Sequence, residues 1–541
     1  MKKILTIIFS ATFITVSAQD STKKQQSVEI ISSYKPVLRN AVKIFFSATN
    51  ADADTSKNVQ PYKIPQQNLF YAYKPISLKP LAMQQDTSLQ LGNRNFVKAG
   101  FGNFTTPYFS AGISLGDARK SLLNVYADFI SSTGNIKNQD YLQFNSKAAG
   151  SYTIGKNELY GSAGFGIHEY HLYGYNHAVL NFEKKDVLLR YQNVSLKAGF
   201  RNKEQTEYNI SYNPTIQVNL LNLQGRATEN SFVVDAPIQK TFDEVWTVKI
   251  TAHGDFTKYV TQKIIPNNFS ISNNVYSIAP EIVYSKNILN IHVGISPTWD
   301  NGKLNVLPNI YGEVKVKEGL FLAQAGFVGK IVKNTLGRLS MINPFLTTIT
   351  EQKNTRELEL YGGIKATVGK HFNFSAKAGF VAIKNMPLFI NDNIDGKTFY
   401  PNIDSGMNAL RIHADMSYIQ QEKFMLTGGV TFNGYSGMTN NARAWGTIPL
   451  EANASLRWKP FKQLTAKADF WAFAGSPYLV RSSPERVELN GIDLSAGLEF
   501  ALSKKISLWL DVNNIFNNTY ERWKNYQVYG LNVVGGAIVR F

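Results

Sequence analysis

From Arg94 to Phe541 the chain keeps one texture: segments of about ten residues alternate apolar and polar, then break at Asn, Gly, Asp, Ser, Lys or Pro. EVWTVKITAH puts Trp246, Val248, Ile250 and Ala252 on one face and Thr247, Lys249, Thr251 and His253 on the other. NVSLKAGF sets Val194, Leu196, Ala198 and Phe200 against Ser195, Lys197 and Gly199. RELELYGGIKATV, FNFSAKAGF, LEANASLRW, LTAKADFWA and ISLWLDV repeat the pattern. A period of two is the signature of a strand with two unlike faces. Roughly 20 to 22 such segments fit after Arg94, about 20 residues for each strand and its connection. No apolar run after the leader approaches the length of a spanning helix.

An all-β chain of this kind folds as a sandwich, a propeller or a barrel. Three features favour a transmembrane barrel. Lys and Arg lie beside Tyr and Trp on the polar faces, which suits a wet lumen. Apolar faces begin or end with Trp, Tyr or Phe, as an interfacial girdle requires. Aromatics are 13% of the chain, with 27 Tyr and 34 Phe. The chain also ends on a clean strand, NVVGGAIVRF, closed by Phe541. In lipid no strand edge can stay unpaired, so a last strand must close against the first. The expected fold is a transmembrane antiparallel β-barrel of about 22 strands over residues 94–541, with Phe541 as an assembly signal.

The first residues read as a secretory signal. Lys2 and Lys3 precede an apolar stretch from Ile4 to Val16, and Val16-Ser17-Ala18 is a small-residue cleavage site. Cleavage is expected after Ala18. Residues 19–93 carry Pro36, Pro61, Pro65, Pro75 and Pro80 and no sustained alternation. Proline excludes central strands and helix interiors, so this reads as an extended segment, periplasmic or occluding the lumen. Within it Tyr34-Lys35-Pro36 recurs as Tyr73-Lys74-Pro75, a candidate partner-binding element.

Composition removes several function classes. The chain has no cysteine, hence no disulfide, thiolate metal site, cysteine nucleophile or lipoprotein anchor. The net charge of +18 is spread rather than gathered into a basic tract, which argues against nucleic acid. GIHEYHLYGY holds His168, Glu169 and His171, but His168 and Glu169 point to opposite faces of a strand, so a strand end or loop is the simpler reading. NDNIDG (391–396) resembles the start of a calcium loop, yet Asn402 stands where a bidentate Glu is needed. Asp52 and Asp54 read as a solvated linker. GFGNF (100–104) and GSAGFG (161–166) lack the spacing and context of a dinucleotide loop and fit kinks in a curved sheet. No Ser-His-Asp arrangement stands out. No catalytic residue, metal or cofactor is expected.

The lumen-facing charges are the feature to follow. Inward positions include Lys197, Lys249, Lys365, Lys377, Arg457, Lys467 and Arg540, with Glu357, Glu359, Glu451, Asp469 and Asp511. A basic lumen would favour anionic solutes. Pairing across neighbouring strands is the simpler account.

The C-terminal stretch LWLDVNNIFNNTYERWKNYQVYGLNVVGGAIVRF resembles the end of TonB-dependent receptor barrels. The matching elements are the turn Asn514-Ile515-Phe516-Asn517, the aromatic loop with Tyr520 and Trp523, and the strand Gly536 to Phe541. It looks most like the receptor-type barrels of the Bacteroidetes. YKPVLRNAVKI, FGNFTTPYF and YGYN also look like a plugless family of that group. The departure is in residues 19–93, too few for a folded plug and without its Gly-rich pattern, although SVEIISS superficially resembles a TonB-contacting box. The resemblance implies a receptor- or porin-like barrel in the outer membrane of a Gram-negative bacterium, for solute binding or passage, and not an enzyme. The implied partners are outer-membrane lipid, the barrel-assembly machinery, and a TonB-like or other periplasmic protein or surface lipoprotein. The competing expectation is a structural or assembly platform whose N-terminal segment recruits an envelope partner.

Overall fold

The computed structural model describes residues 95–541 apart from 117–119, 263–267, 318–320, 370, 393, 421–422 and 480–485. The expected signal peptide, the segment 19–93 and the repeated Tyr34-Lys35-Pro36 and Tyr73-Lys74-Pro75 lie outside the described residues.

One antiparallel sheet runs from the strand Phe96–Gly102 to the strand Asn532–Arg540. The segments Ile210–Tyr212 and Thr215–Leu223 both pair with Ala227–Phe242, so they form one interrupted strand. The sheet therefore has 22 strands. Its first and last strands pair in register from Phe96 with Arg540 to Gly102 with Val534, and the barrel is closed. Closure leaves no edge, which is the condition for a sheet to stand in lipid.

The pattern of burial is inside out. Along each strand the apolar face is exposed, with Phe101, Leu360, Val306 and Phe380 among its members. The polar face is buried, with Lys98, Ser110, Asp128, Glu359 and Ser507 at 5% exposure or less. Alternation thus gives an outer apolar belt for acyl chains and a polar interior. No helix among the described residues is long and apolar enough to cross a membrane.

The two ends differ. At one end strands join through tight turns such as 155–156, 243–245 and 287–288. The other end carries the long connections 172–187, 333–354, 385–406, 437–449 and 514–531. Tight hairpins at 103–105, 224–226 and 301–302 lie at the same end, and in the last of these Asn301 (φ 49°) and Gly302 (φ 83°) take the left-handed backbone of a primed turn. The chain enters and leaves the barrel at the short-turn end, the periplasmic side of an outer-membrane barrel.

A loop core across the outer mouth

The long loops do not stand away from the barrel. They fold together into a packed core, and the reason lies in their composition. Segments such as YHLYGY, NPFL, MPLF and RWKNYQVY are too apolar to remain in water. In ring order the loop 172–187 follows the fifth strand, 333–354 the thirteenth and 514–531 the twenty-first. Their roots are eight, eight and six strands apart around the ring of 22. Residues from all three meet at one point, so the loops span the mouth.

The meeting point is Phe345, fully buried. Its ring stacks on Tyr526 at 3.5 Å and 19°, and Tyr173 stands edge-on to both, at 6.2 Å from Phe345 and 4.8 Å from Tyr526. Tyr170 adds a second edge contact at 6.4 Å. Each well-oriented aromatic pair contributes about 0.5–1.5 kcal/mol beyond area burial. Beside this point Trp523 is fully buried among Phe389, Phe399 and Tyr478, at 5.3, 5.4 and 6.0 Å.

Loop 333–354 is held at three levels. Its helix α1 (Leu336–Ile342) turns Leu336, Leu339 and Ile342 into the core, the i, i+3, i+6 stripe of a short amphipathic helix. Thr335 caps it by accepting from the Arg338 N–H at 3.2 Å. Glu229, on the barrel wall, completes the cap: its carboxylate accepts from the N–H of Leu336 at 2.6 Å and of Gly337 at 2.8 Å. Gln352 donates to the same carboxylate at 3.0 Å. Lys333 donates to Asp255 and Thr257 of the wall, each at 2.6 Å. Tyr191 donates to the Pro344 carbonyl at 2.7 Å.

The other loops lock onto this one. The hairpin Met386–Asn391 with Phe399–Asp404 joins it through backbone bonds from the Phe399 N–H to Phe345 and from the Thr347 N–H to Phe399. Asp404 ties the hairpin to loop 437–449, accepting from the N–H groups of Thr439 and Asn440 and from the Asn441 side chain, all at 3.0 Å. Burial alone would raise the pKa of Asp404. The hydrogen bonds from Asn441, Thr439, Asn440 and Gly406 outweigh it and hold the carboxyl below the ordinary range. Arg522 lies over Trp523 at 4.2 Å, donates to the Tyr478 hydroxyl at 2.7 Å and to the Gly446 carbonyl at 3.0 Å. A buried guanidinium with those acceptors and an aromatic face is well satisfied.

A recess of about 730 Å³ opens beside the core between loops 133–140, 172–187, 385–406 and 514–531. Asp392, Asp395, Glu521, Lys524 and His177 line it. Val179 and Ile394 stand almost fully exposed at its rim. Asn391, buried in its wall, has a side-chain carbonyl oxygen with no partner among the described residues.

The residues singled out from the sequence are placed as follows. Lys249 lies 3.7 Å from Glu281, Lys365 2.6 Å from Glu313 and Lys377 3.3 Å from Glu359. Lys467 lies 2.9 Å from Asp511, and Arg540 2.5 Å from Glu499. Lys98, not singled out, shares Asp511 at 3.7 Å and lies under the Trp509 ring. Lys197 is exposed between Ser162 and Gln217 of the neighbouring strands, and Arg457 sits opposite Lys467. His168 and Glu169 close the strand Asn157–His171, with His168 on Asn145 at 2.8 Å and Glu169 on Arg190 at 2.5 Å. In 391–396 the Asp392 carboxylate is occupied by Ile394, Asp395 and Thr398 of its own loop. Phe541 is exposed, with its N–H on the Asn95 carbonyl. Phe345, Tyr526, Arg522 and Glu229 were not anticipated. Their signal is aromatic density in long loops, not a site motif.

No family model matches the sequence, and no curated protein is detectably similar to it. Solved structures do resemble it. The FrpB iron transporter from Neisseria meningitidis superposes with a TM-score of 0.64 at 10% identity, covering 83% of this chain and 81% of that one. The pyoverdine outer membrane receptor FpvA from Pseudomonas aeruginosa gives 0.62 at 10% identity, over 84% and 79%. The copper transporter OprC gives 0.59 at 11%, over 84% and 81%. At this identity the likeness is one of fold. The fold is a closed 22-stranded antiparallel barrel, like those of these transporters and receptors.

Proposed function

We propose that the protein is an outer-membrane receptor that binds a solute at its outer mouth and passes it through the barrel when the loop core rearranges. The observation that carries this is the loop core itself. A barrel of 22 strands is too wide for wall side chains alone to fill, and here loops rooted around the whole ring meet over its mouth. The recess beside that core is the proposed point of first contact. Iron and copper appear in the names of the compared transporters, so ferric chelates and copper are the ligands to try first. The reading includes a TonB-like periplasmic partner, insertion through Phe541 by the barrel-assembly machinery, and residues 19–93 in place of a folded plug, as in the Bacteroidetes barrels the sequence resembles. It assigns no enzymatic step.

The interlocking of the core favours a second reading, in which the barrel is a closed platform and residues 19–93 recruit an envelope partner. Planar-bilayer conductance separates the two. The proteins to compare are the intact chain, a variant with 336–350 replaced by a short Gly-Ser linker, and one lacking 19–93. A closed intact barrel that opens in large steps in the linker variant, or only when 19–93 is also removed, supports the receptor. Steady conduction by the intact protein makes it a porin. Silence of all three, singly and combined, favours the platform.

A further inference from the structure

On the inner wall the strands Tyr141–Ile154, Asn157–His171 and Leu188–Asn202 run side by side. Period two turns Asn145 and Lys147 of the first, Ser162, Gly164 and Gly166 of the second, and Asn193, Ser195 and Lys197 of the third toward the lumen. The register sets Lys147, Gly164 and Ser195 in one row, and Ser162 beside Lys197 in the next inward row. The middle strand therefore has two inward positions without a side chain. A Cβ on Gly164 would meet nothing closer than 3.7 Å, whereas Gly166 is covered by the Asn193 side chain. The result is a shallow cradle with a backbone floor at Gly164 and polar walls. The two lysines flank it from opposite sides, two strands and two residues apart, or about 12 Å between Cα atoms.

Unspent donors set this cradle apart from the rest of the wall. The side chains of Lys147, Ser162, Asn193, Ser195 and Lys197 have no hydrogen bond or ion pair among the described residues. Both lysines and Asn193 are exposed to the lumen. The inward carboxylates of these and the neighbouring strands are engaged with other groups. Asp128 accepts from Asn145 at 3.2 Å and forms no ion pair with Lys147, Glu158 accepts from Arg201 at 2.7 Å, and Asp235 bonds His253 at 2.6 Å. Beyond Lys197 the wall continues in neutral groups, with Gln217 donating to Asn219 at 2.8 Å and Asn219 to Ser231 at 3.1 Å. Five donors around one open patch, two of them charged, fit a group that brings acceptors only.

We infer that this cradle binds the doubly charged oxyanion group of a solute, such as a phosphate monoester carries, between the ammonium groups of Lys147 and Lys197, with Ser162, Asn193 and Ser195 as further donors. The inference rests on the proposed role of the lumen as a solute path and adds the chemical class of the solute. The site is local. Lys249, Lys365, Lys377, Lys467 and Arg540 are paired with carboxylates, so two unpaired lysines select a bound group without giving the whole lumen a strong field.

The test is equilibrium dialysis of the full chain in nonionic detergent against labelled inorganic phosphate, at a pH where phosphate is mainly the dianion. Sulfate and acetate serve as competitors. The variants are K147Q/K197Q, K147R/K197R, G164L, which fills the floor and keeps both charges, and K462Q/K505Q, which removes the same charge outside the lumen. The heat-dependent shift in gel mobility of a folded barrel is checked for each. The expected result is one saturable phosphate site in wild type, displaced by sulfate far better than by acetate. Binding should weaken about tenfold in K147Q/K197Q, weaken also in G164L, and persist in K147R/K197R and K462Q/K505Q. No saturable binding by wild type overturns the inference. So does displacement by acetate as effective as by sulfate, or an equal loss in K462Q/K505Q, which would mean net charge alone. If K147Q/K197Q does not fold, G164L decides, and unchanged binding there counts against the cradle. The measurement needs no conduction, so a barrel that binds phosphate but stays closed keeps the site and loses the receptor reading, and one that conducts without binding does the reverse.

Discussion

Gly100 and Gly536 face one another across the barrel seam, and Trp509 faces Gly536 from the other side. A Cβ on Gly100 would run into the Trp509 ring, and one on Gly536 into the Ala99 carbonyl. The missing side chains let the indole lie across the closing strands, where its N–H donates to the Ala99 carbonyl at 3.2 Å. Phe96, Val534 and Ile538 bury themselves against it. Trp509→Ala should therefore cost about 3–5 kcal/mol, the usual loss for a large buried aromatic. Urea unfolding of the barrel in lipid vesicles measures it, and a loss below about 1 kcal/mol would mean the seam is held by its backbone bonds alone. The inward position of Trp509 was legible, because period two fixes the face of every strand residue. Its partnership with Gly100 was not, since more than four hundred residues separate them and no local pattern records the register of a closing pair.

The same contrast holds between elements. Strands announce themselves because each is specified by its own alternation. The loop core has no such local code: Phe345, Tyr526 and Tyr173 are ordinary aromatics until three distant loops bring them together. Occlusion was expected from residues 19–93, and the mouth is spanned by loops in any case. Two tests belong to these elements. Glu229→Gln weakens the acceptor at both α1 N–H groups, and the exchange of a charged for a neutral acceptor should destabilise loop 333–354 by about 1 kcal/mol. Faster amide hydrogen exchange confined to 336–350 would report it. Asp404 sets a pH dependence. Its pKa is lower in the folded loops than in the unfolded chain, so its contribution is complete above the ordinary carboxylate pKa of about 3.9 and is lost as pH falls through the folded value. Protection of 437–449 from protease should hold from neutral pH to about pH 5 and fail only below about pH 4. Asp404→Asn should lower that protection at neutral pH, and a protection lost between pH 7 and 6 would point to a histidine instead.

Over the whole barrel, the charges on the inner wall decide what an opened lumen would select. The basic excess of the sequence suggested a bias toward anions. In the fold, Lys249, Lys365, Lys377, Lys467 and Arg540 each lie within 4 Å of a carboxylate on the wall. Lys330 and Arg411 likewise share Glu357, each at 3.2 Å. A pair of opposite charges at such a distance has a field that falls off much faster than that of a single charge, and at physiological salt it is screened within about 8 Å. Part of the excess lies instead in exposed lysines of the short turns, among them Lys156, Lys423, Lys462 and Lys505. The barrel opened by replacing 336–350 should therefore conduct with a cation-to-anion permeability ratio near one. The reversal potential under a tenfold salt gradient measures that ratio and should lie close to zero. Glu313→Gln, which strips Lys365 of its partner, should move it modestly toward anions. Strong anion selectivity in the opened barrel before any such substitution would mean that the pairs part when the lumen fills with water, and that the basic composition acts on the solute after all.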